Sequence, residues 1–362
     1  MLFNRFRTIN VEEYTHNSVT TSHVRLASAG THGDFHFNGW RLAQGVAMTL
    51  SSRHLNQPEY WFDHISSLLG LSNLIHSHLP NVRIKSSRIS SLRDFSRTNK
   101  IGEVSQGLVY LYMQNTGFPY INDFHFFCDN SQIAIPYKAS TPDFVCQDKS
   151  LTNQICLVES KGKETISTGS IKAKLAKAIN QCISGENIIN TSGKYNVIKS
   201  FGFCSEWSAE NNLNDSVFHF VDPEKEIRQQ GTNSAPMRFH YASWFYLIGD
   251  FENAKRLVNG EKIIFDENNF REIFIKDEKY WVLRRLPQLF RENSRYRHSN
   301  SLLDINFLFI RLLGRRGISS VIIQGLINQT YEKITRIDFK NGSTEEYEFF
   351  VDGTIIIKRA HE

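Results

Sequence analysis

The chain has 362 residues, 40% of them hydrophobic and 12% aromatic, which is enough apolar material for two or three folded units and too much for a disordered scaffold. A formal net charge of +5 permits an anionic partner but excludes a histone-like balance. Five cysteines lie far apart without a CxxC pair, which argues against a zinc ribbon or a disulfide framework and fits a reducing compartment. The opening MLFNRFRTIN lacks the apolar stretch of a secretory leader. The longest apolar candidate, Ile305 to Leu313, is shorter than the roughly 18 residues a membrane helix needs and contains Arg311. A cytoplasmic protein without a membrane partner is the expectation.

Residues 1–90 read as a helical accessory region. A Ser/Thr/His/Gly-rich segment precedes GWRLAQGVAMTLSS, where Leu42, Ala43, Val46, Ala47 and Leu50 share one helical face. Ile65, Leu68, Leu69 and Ile75 suggest a partner helix. His32, Asp34 and His36 in THGDFHF are metal-ligating residue types, but no further ligands follow in a recognisable pattern.

Between about 91 and 210 the pattern becomes helix, several strands, helix, strand. In IGEVSQGLVYLYMQ, Val104, Leu108, Leu111 and Tyr112 recur at helical spacing and leave Glu103 and Gln106 together on another face. Asn122 to Phe127, Asp143 to Cys146 and Ile155 to Glu159 read as extended. IKAKLAKAINQC then places Ile171, Leu175, Ile179 and Cys182 on an inner stripe, with Lys174, Lys177 and Gln181 on the other side. Tyr195 to Cys204 reads as a further strand.

Residues 211–362 mix helices with a terminal β meander. Arg284, Arg285, Arg291, Arg295 and Arg297 crowd a stretch broken by Pro287. ITRIDF, EYEFFV and TIIIKR, separated by NGST and DG, read as the meander itself. The overall class is α/β of the α+β kind. No GxxxxGK[ST] loop, GxSxG elbow or HExxH helix occurs, so ATP-driven translocation by this chain is not supported.

The stretch TPDFVCQDKSLTNQICLVESKGK carries the chemistry. Read as a hairpin, Asp143 opens one strand, and Glu159 and Lys161 end the next on a shared face, with Ser160 turned away. Two carboxylates converging at one sheet end repel each other unless a divalent cation lies between them. Mg²⁺ is the expected ion, with Mn²⁺ as substitute, because hard oxygens bind it and the main-chain carbonyl of Ser160 adds one more. Lys161 would orient the attacking water or neutralise charge on a phosphate, and Glu103 can add an outer carboxylate. A carboxylate two places before lysine also occurs at Asp277-Lys279 and Asp338-Lys340, but only Glu159-Lys161 has a Pro-Asp at hairpin distance upstream.

On Pro142-Asp143 and Glu159-Ser160-Lys161 the chain resembles the PD-(D/E)xK, or restriction-endonuclease-like, nuclease superfamily, over about residues 100 to 205. The resemblance implies an αβββαβ core at 91–210, flanked by regions 1–90 and 211–362 that select substrate or partners. It matches Glu103 to the glutamate on the family's first helix and Gln181 to the polar residue on its second. It implies a metal-dependent endonuclease hydrolysing phosphodiester bonds. DNA, most directly double-stranded, is the expected substrate, in a restriction or antiphage setting by analogy. The competing readings are a nucleic-acid-binding or assembly subunit without turnover, an exported DNase toxin and a repair nuclease. A protein partner or a homo-oligomer is compatible with each.

Two basic sets would carry nucleic-acid contacts. Arg83, Lys85, Arg88, Arg93, Arg97 and Lys100 precede the Glu103 helix, against the single acid Asp94, with serines interleaved. Lys163, Lys172, Lys174 and Lys177 follow the carboxylates. A solvated linker and an exposed amphipathic helix are the plain alternatives for the two sets.

Overall fold

The computed structural model describes residues 4–17, 25–26, 30–50, 69–165, 167, 169–222, 231–283 and 315–358. Ile65, Leu68, Trp61, the arginine cluster with Pro287, and Ile305 to Leu313 fall outside the described residues. Two main sheets organise the chain, one mixed and one antiparallel, which gives a mixed α/β class. Among the described residues no helix is long and apolar enough to cross a membrane.

The larger sheet takes strands from all three segments distinguished in the sequence. Its sequential strands are β1 (Phe6–Tyr14), β2 (Gly30–Asn38), β3 (Tyr120–Asp123), β4 (Phe144–Gln147), β5 (Gln154–Glu164), β6 (Asn196–Trp207) and β7 (Val217–Val221). They lie in the order β2-β1-β7-β6-β5-β4-β3. Two pairs are parallel, β1 with β7 and β5 with β6. The boundaries at 90 and 210 therefore do not divide this sheet. The expectation of a helical N-terminal region is corrected here: β1 is a half-buried strand, with Ile9 and Val11 on its buried side, and β2 pairs beside it.

Three helices sandwich the sheet. α1 (Gly39–Leu50) packs on α2 (Asp94–Asn115), which lies across β5 and β6, while α3 (Ile171–Ser192) also packs on β5 and β6. Strand alternation separates the two sides. A Cβ at Gly162 on β5 would lie 2.5 Å from Ser105 Oγ of α2. Gly202 on β6, the register partner of Glu159, faces Ala178 and Ile179 of α3. The α2 side is filled by Phe35, Phe37, Tyr112, Phe203, Phe218 and Phe220 in ring contact. All five cysteines are buried and none forms a disulfide among the described residues, and Trp40, Trp207, Trp244 and Trp281 are core residues.

Two extended readings are corrected. Asn122 to Phe127 is a strand only as far as Asp123, whose side chain accepts the Phe126 N–H at 2.9 Å and caps a short helix, Phe124–Asn130. ITRIDF forms no strand. Its start lies in the helix Tyr331–Thr335, where Ile334 fills the space left by Gly325 of the preceding helix. The last sheet instead uses Gly342–Ser343, Tyr347–Phe349 and Thr354–Ile357, with Gly353 (φ 75°) turning the final hairpin.

That antiparallel sheet docks on the first unit through buried polar pairs. His240 Nε2 meets Asp352 Oδ2 at 2.9 Å, Asn38 Nδ2 donates to Glu348 Oε2 at 2.8 Å, and Arg41 pairs with Glu348. Lys358 also reaches Glu348, at 2.8 Å. Removing one partner of such a desolvated pair would strand the other charge, so these contacts fix one docking geometry.

Candidate active site

The β4 ladder against β5 ends at Phe144↔Val158, while β5 continues to Glu164 by pairing with β6. Glu159 and Lys161 therefore sit mid-strand, not at a strand end, at the point where the sheet loses a neighbour. Asp143 lies one residue before β4, beside Glu159. Its main-chain oxygen accepts the Phe124 N–H at 2.9 Å, which fixes the backbone there.

The Asp143 carboxylate is held at both oxygens. Oδ2 accepts the Ser160 N–H at 2.9 Å and Oδ1 accepts Gln106 Nε2 at 3.0 Å. Glu159 is 2% exposed. Its Oε1 accepts from Lys161 Nζ, while Oε2 is buried without a hydrogen-bond partner among the described residues. A buried anionic oxygen with no donor is costly, and that cost is removed by protonation or by a cation. Burial, and then the neighbouring Asp143 charge, push the Glu159 carboxyl up to about 8, against Lys161 and the Asp143 main chain. Burial likewise raises Asp143, opposed by the Ser160 N–H, Lys161 and Gln106.

Two helices hold this pair of strand segments. α3 carries Gln181, whose Nε2 donates to the Thr141 carbonyl at 2.9 Å, and one turn later Gly185, where a Cβ would lie 2.5 Å from Pro142 Cδ. Thr141-Pro142 is thus clasped by the Gln181/Gly185 face and delivers Asp143 in one orientation. The remaining Gln181 oxygen, Oε1, is buried without a partner among the described residues. From the other side, Gly162 lets α2 approach β5 closely, which brings Gln106 within reach of Asp143.

Glu103, the helix carboxylate singled out in the sequence, pairs with Lys100 at 2.7 Å. Gln106, its neighbour three residues on, contacts Asp143 instead. The helical offset that grouped the two was visible in the sequence, but which of them points at the strand end depends on the α2 crossing. Ser160 is buried, with its side chain on the α2 face and its Oγ without a partner among the described residues.

The basic residues divide. Arg83 donates to the Ala209 carbonyl at 3.3 Å and pairs with Asp215, Lys85 donates to the Ser72 carbonyl at 3.2 Å, and Arg97 pairs with Glu164. Lys163 meets Glu206 and the Gly169 carbonyl, each at 3.1 Å. Arg88, Arg93, Lys172 and Lys177 are exposed, and Lys174 is half-buried. In the N-terminal set, His32 pairs with Glu13 at 3.0 Å and His36 Nδ1 meets Thr8 Oγ1 at 3.1 Å.

No family model, curated protein or solved structure matches this chain.

Among the described residues no group of three or more His, Cys, Asp and Glu is arranged to hold a metal ion. A metal at Asp143 and Glu159 would therefore rest on two carboxylates completed by main-chain oxygen and water, a donor set suited to Mg²⁺, which binds few protein ligands and keeps its waters. The buried, partnerless Glu159 Oε2 fits such a hard cation.

Proposed function

We propose that the chain is a Mg²⁺-dependent phosphodiester hydrolase acting on DNA, with a restriction-endonuclease-like core between about residues 94 and 207. The observation that carries this reading is the half-buried Asp143 beside the buried Glu159, converging with Lys161 where β4 ends, with Glu159 Oε2 lacking a hydrogen-bond partner among the described residues. The order of elements supports it as well: helix α2, antiparallel strands β3, β4 and β5, helix α3, then β6 parallel to β5.

Asp143, Glu159 and the main-chain carbonyl of Ser160 would hold the ion. It would supply positive charge beside the scissile phosphate and make a water more acidic. Gln106 and the Ser160 N–H keep the Asp143 carboxylate oriented, so little reorganisation is needed when substrate arrives. Lys161, partly exposed, shares the Glu159 face and would donate to a non-bridging phosphate oxygen or to the attacking water. The exposed Arg88, Arg93, Lys172 and Lys177 can meet the phosphate backbone, whereas Arg83, Lys85, Arg97 and Lys163 are engaged within the fold.

Purified protein should cut linear or supercoiled DNA with Mg²⁺ or Mn²⁺ and lose that activity with EDTA. Binding of DNA without cleavage under any divalent ion would instead support a non-hydrolytic nucleic-acid-binding subunit.

A further inference from the structure

Asp143 is reached through the loop Ile135 to Pro142, and the tip of that loop carries an aromatic ring that the fold does not use. Tyr137 is 91% exposed. It occupies the second position of a turn closed by the Ala139 N–H donating to the Pro136 carbonyl at 3.0 Å. Lys138, at the third position, has φ 61°, a conformation that glycine or asparagine adopts far more readily than lysine. Its ammonium stands 5.2 Å from the Tyr137 ring centroid.

The tip is presented by a braced loop. Ile135 and Ala139 on either side of the turn pack against the core. Upstream, Lys194 Nζ donates to the Ser131 carbonyl at 2.6 Å. Downstream, Thr141 is held by His125 at 2.9 Å through its hydroxyl and by Gln181 at 2.9 Å through its carbonyl. A large ring held in water by a backbone conformation unfavourable for its neighbour contributes nothing to the core. Its chemistry is that of a stacking platform with a cation beside it, the combination that single-stranded nucleic acid recognises.

We propose that Tyr137 stacks on an unpaired base of the substrate, with Lys138 taking an adjacent phosphate. The substrate would then be a nucleic acid with an end, flap or bulge near the cleaved bond. This inference rests on the hydrolase reading of Asp143 and Glu159 for the position of that bond. Five residues lie between Tyr137 and Asp143, so their Cα atoms are at most about 22 Å apart and the stacked base lies within several base steps of the scissile phosphate.

The test is binding in EDTA, where no cleavage occurs, to a short duplex carrying one unpaired 2-aminopurine and to the fully paired duplex. Wild-type protein should quench the unpaired base and prefer the first duplex. Tyr137→Ala should weaken that binding roughly tenfold or more and abolish the quench, Tyr137→Trp should preserve both, and Leu213→Ala, at a 98% exposed site in another loop, should change neither. Equal binding of both duplexes by wild type and Tyr137→Ala overturns the proposal, as does failure of wild type to bind either one. Because the readout needs no turnover, a Tyr137-dependent preference in a protein that never cleaves would leave this inference standing and remove only the hydrolase reading.

Discussion

Metal-free Glu159→Gln should unfold at a higher temperature than wild type at about pH 9, and the gap should close as pH falls towards about 5. The sign follows from linkage. The Glu159 carboxyl titrates at about 8 in the folded chain against an ordinary value of 4.5. Between those values the folded state holds a proton that the unfolded state has released, so folding stability falls as pH rises through the window and levels off above it. Glutamine removes the charge and keeps the shape. It relieves the buried anion at alkaline pH, an effect on the order of a few kcal/mol, and matters little in acid, where wild type is also neutral. Lys161 loses its partner in the variant, but it is partly exposed and recovers hydration. Thermal unfolding in EDTA across this pH range checks the prediction. A gap that is constant with pH, or one that favours wild type at alkaline pH, contradicts it.

The second large effect concerns turnover. Asp143→Ala, Glu159→Ala and Lys161→Ala should each lower kcat/KM for DNA cleavage by roughly a thousandfold or more, with folded structure retained. Asp143→Ala also frees the Ser160 N–H and Gln106, so it removes both a charge and the anchor of the motif. Lys161→Arg should restore little, because a planar guanidinium cannot replace a compact ammonium beside Glu159. Cleavage rates with circular dichroism on the same samples decide the matter. Three variants that cut like wild type would sink the assignment of chemistry to this site.

The parts of the site that were legible in the sequence are those set by local periodicity. Strand alternation fixes that Glu159 and Lys161 share a face, and apolar residues at helical spacing mark α1, α2 and α3. What was not legible depends on tertiary contact. β1 joins the sheet by pairing with β7, some two hundred residues away, and nothing in FRTINVEEY names that partner. The capping role of Asp123 is hidden in an apolar run that reads as strand. Arg83, Lys85 and Arg97 look like a phosphate track, because the groups that hold them, Asp215, the Ser72 carbonyl and Glu164, belong to other segments. Gln106 and Gly185 act on the motif only because the helices cross the sheet where they do.

The most direct measurement of the central claim is Mg²⁺ or Mn²⁺ binding by titration calorimetry near neutral pH, in two buffers of different ionisation enthalpy. Binding at Asp143 and Glu159 must displace the proton that Glu159 holds there, so wild type should take up one ion and release close to one proton. Glu159→Gln and Asp143→Asn should show neither the binding nor the release. Metal uptake without proton release, unchanged in both variants, would place the ion elsewhere and contradict the account.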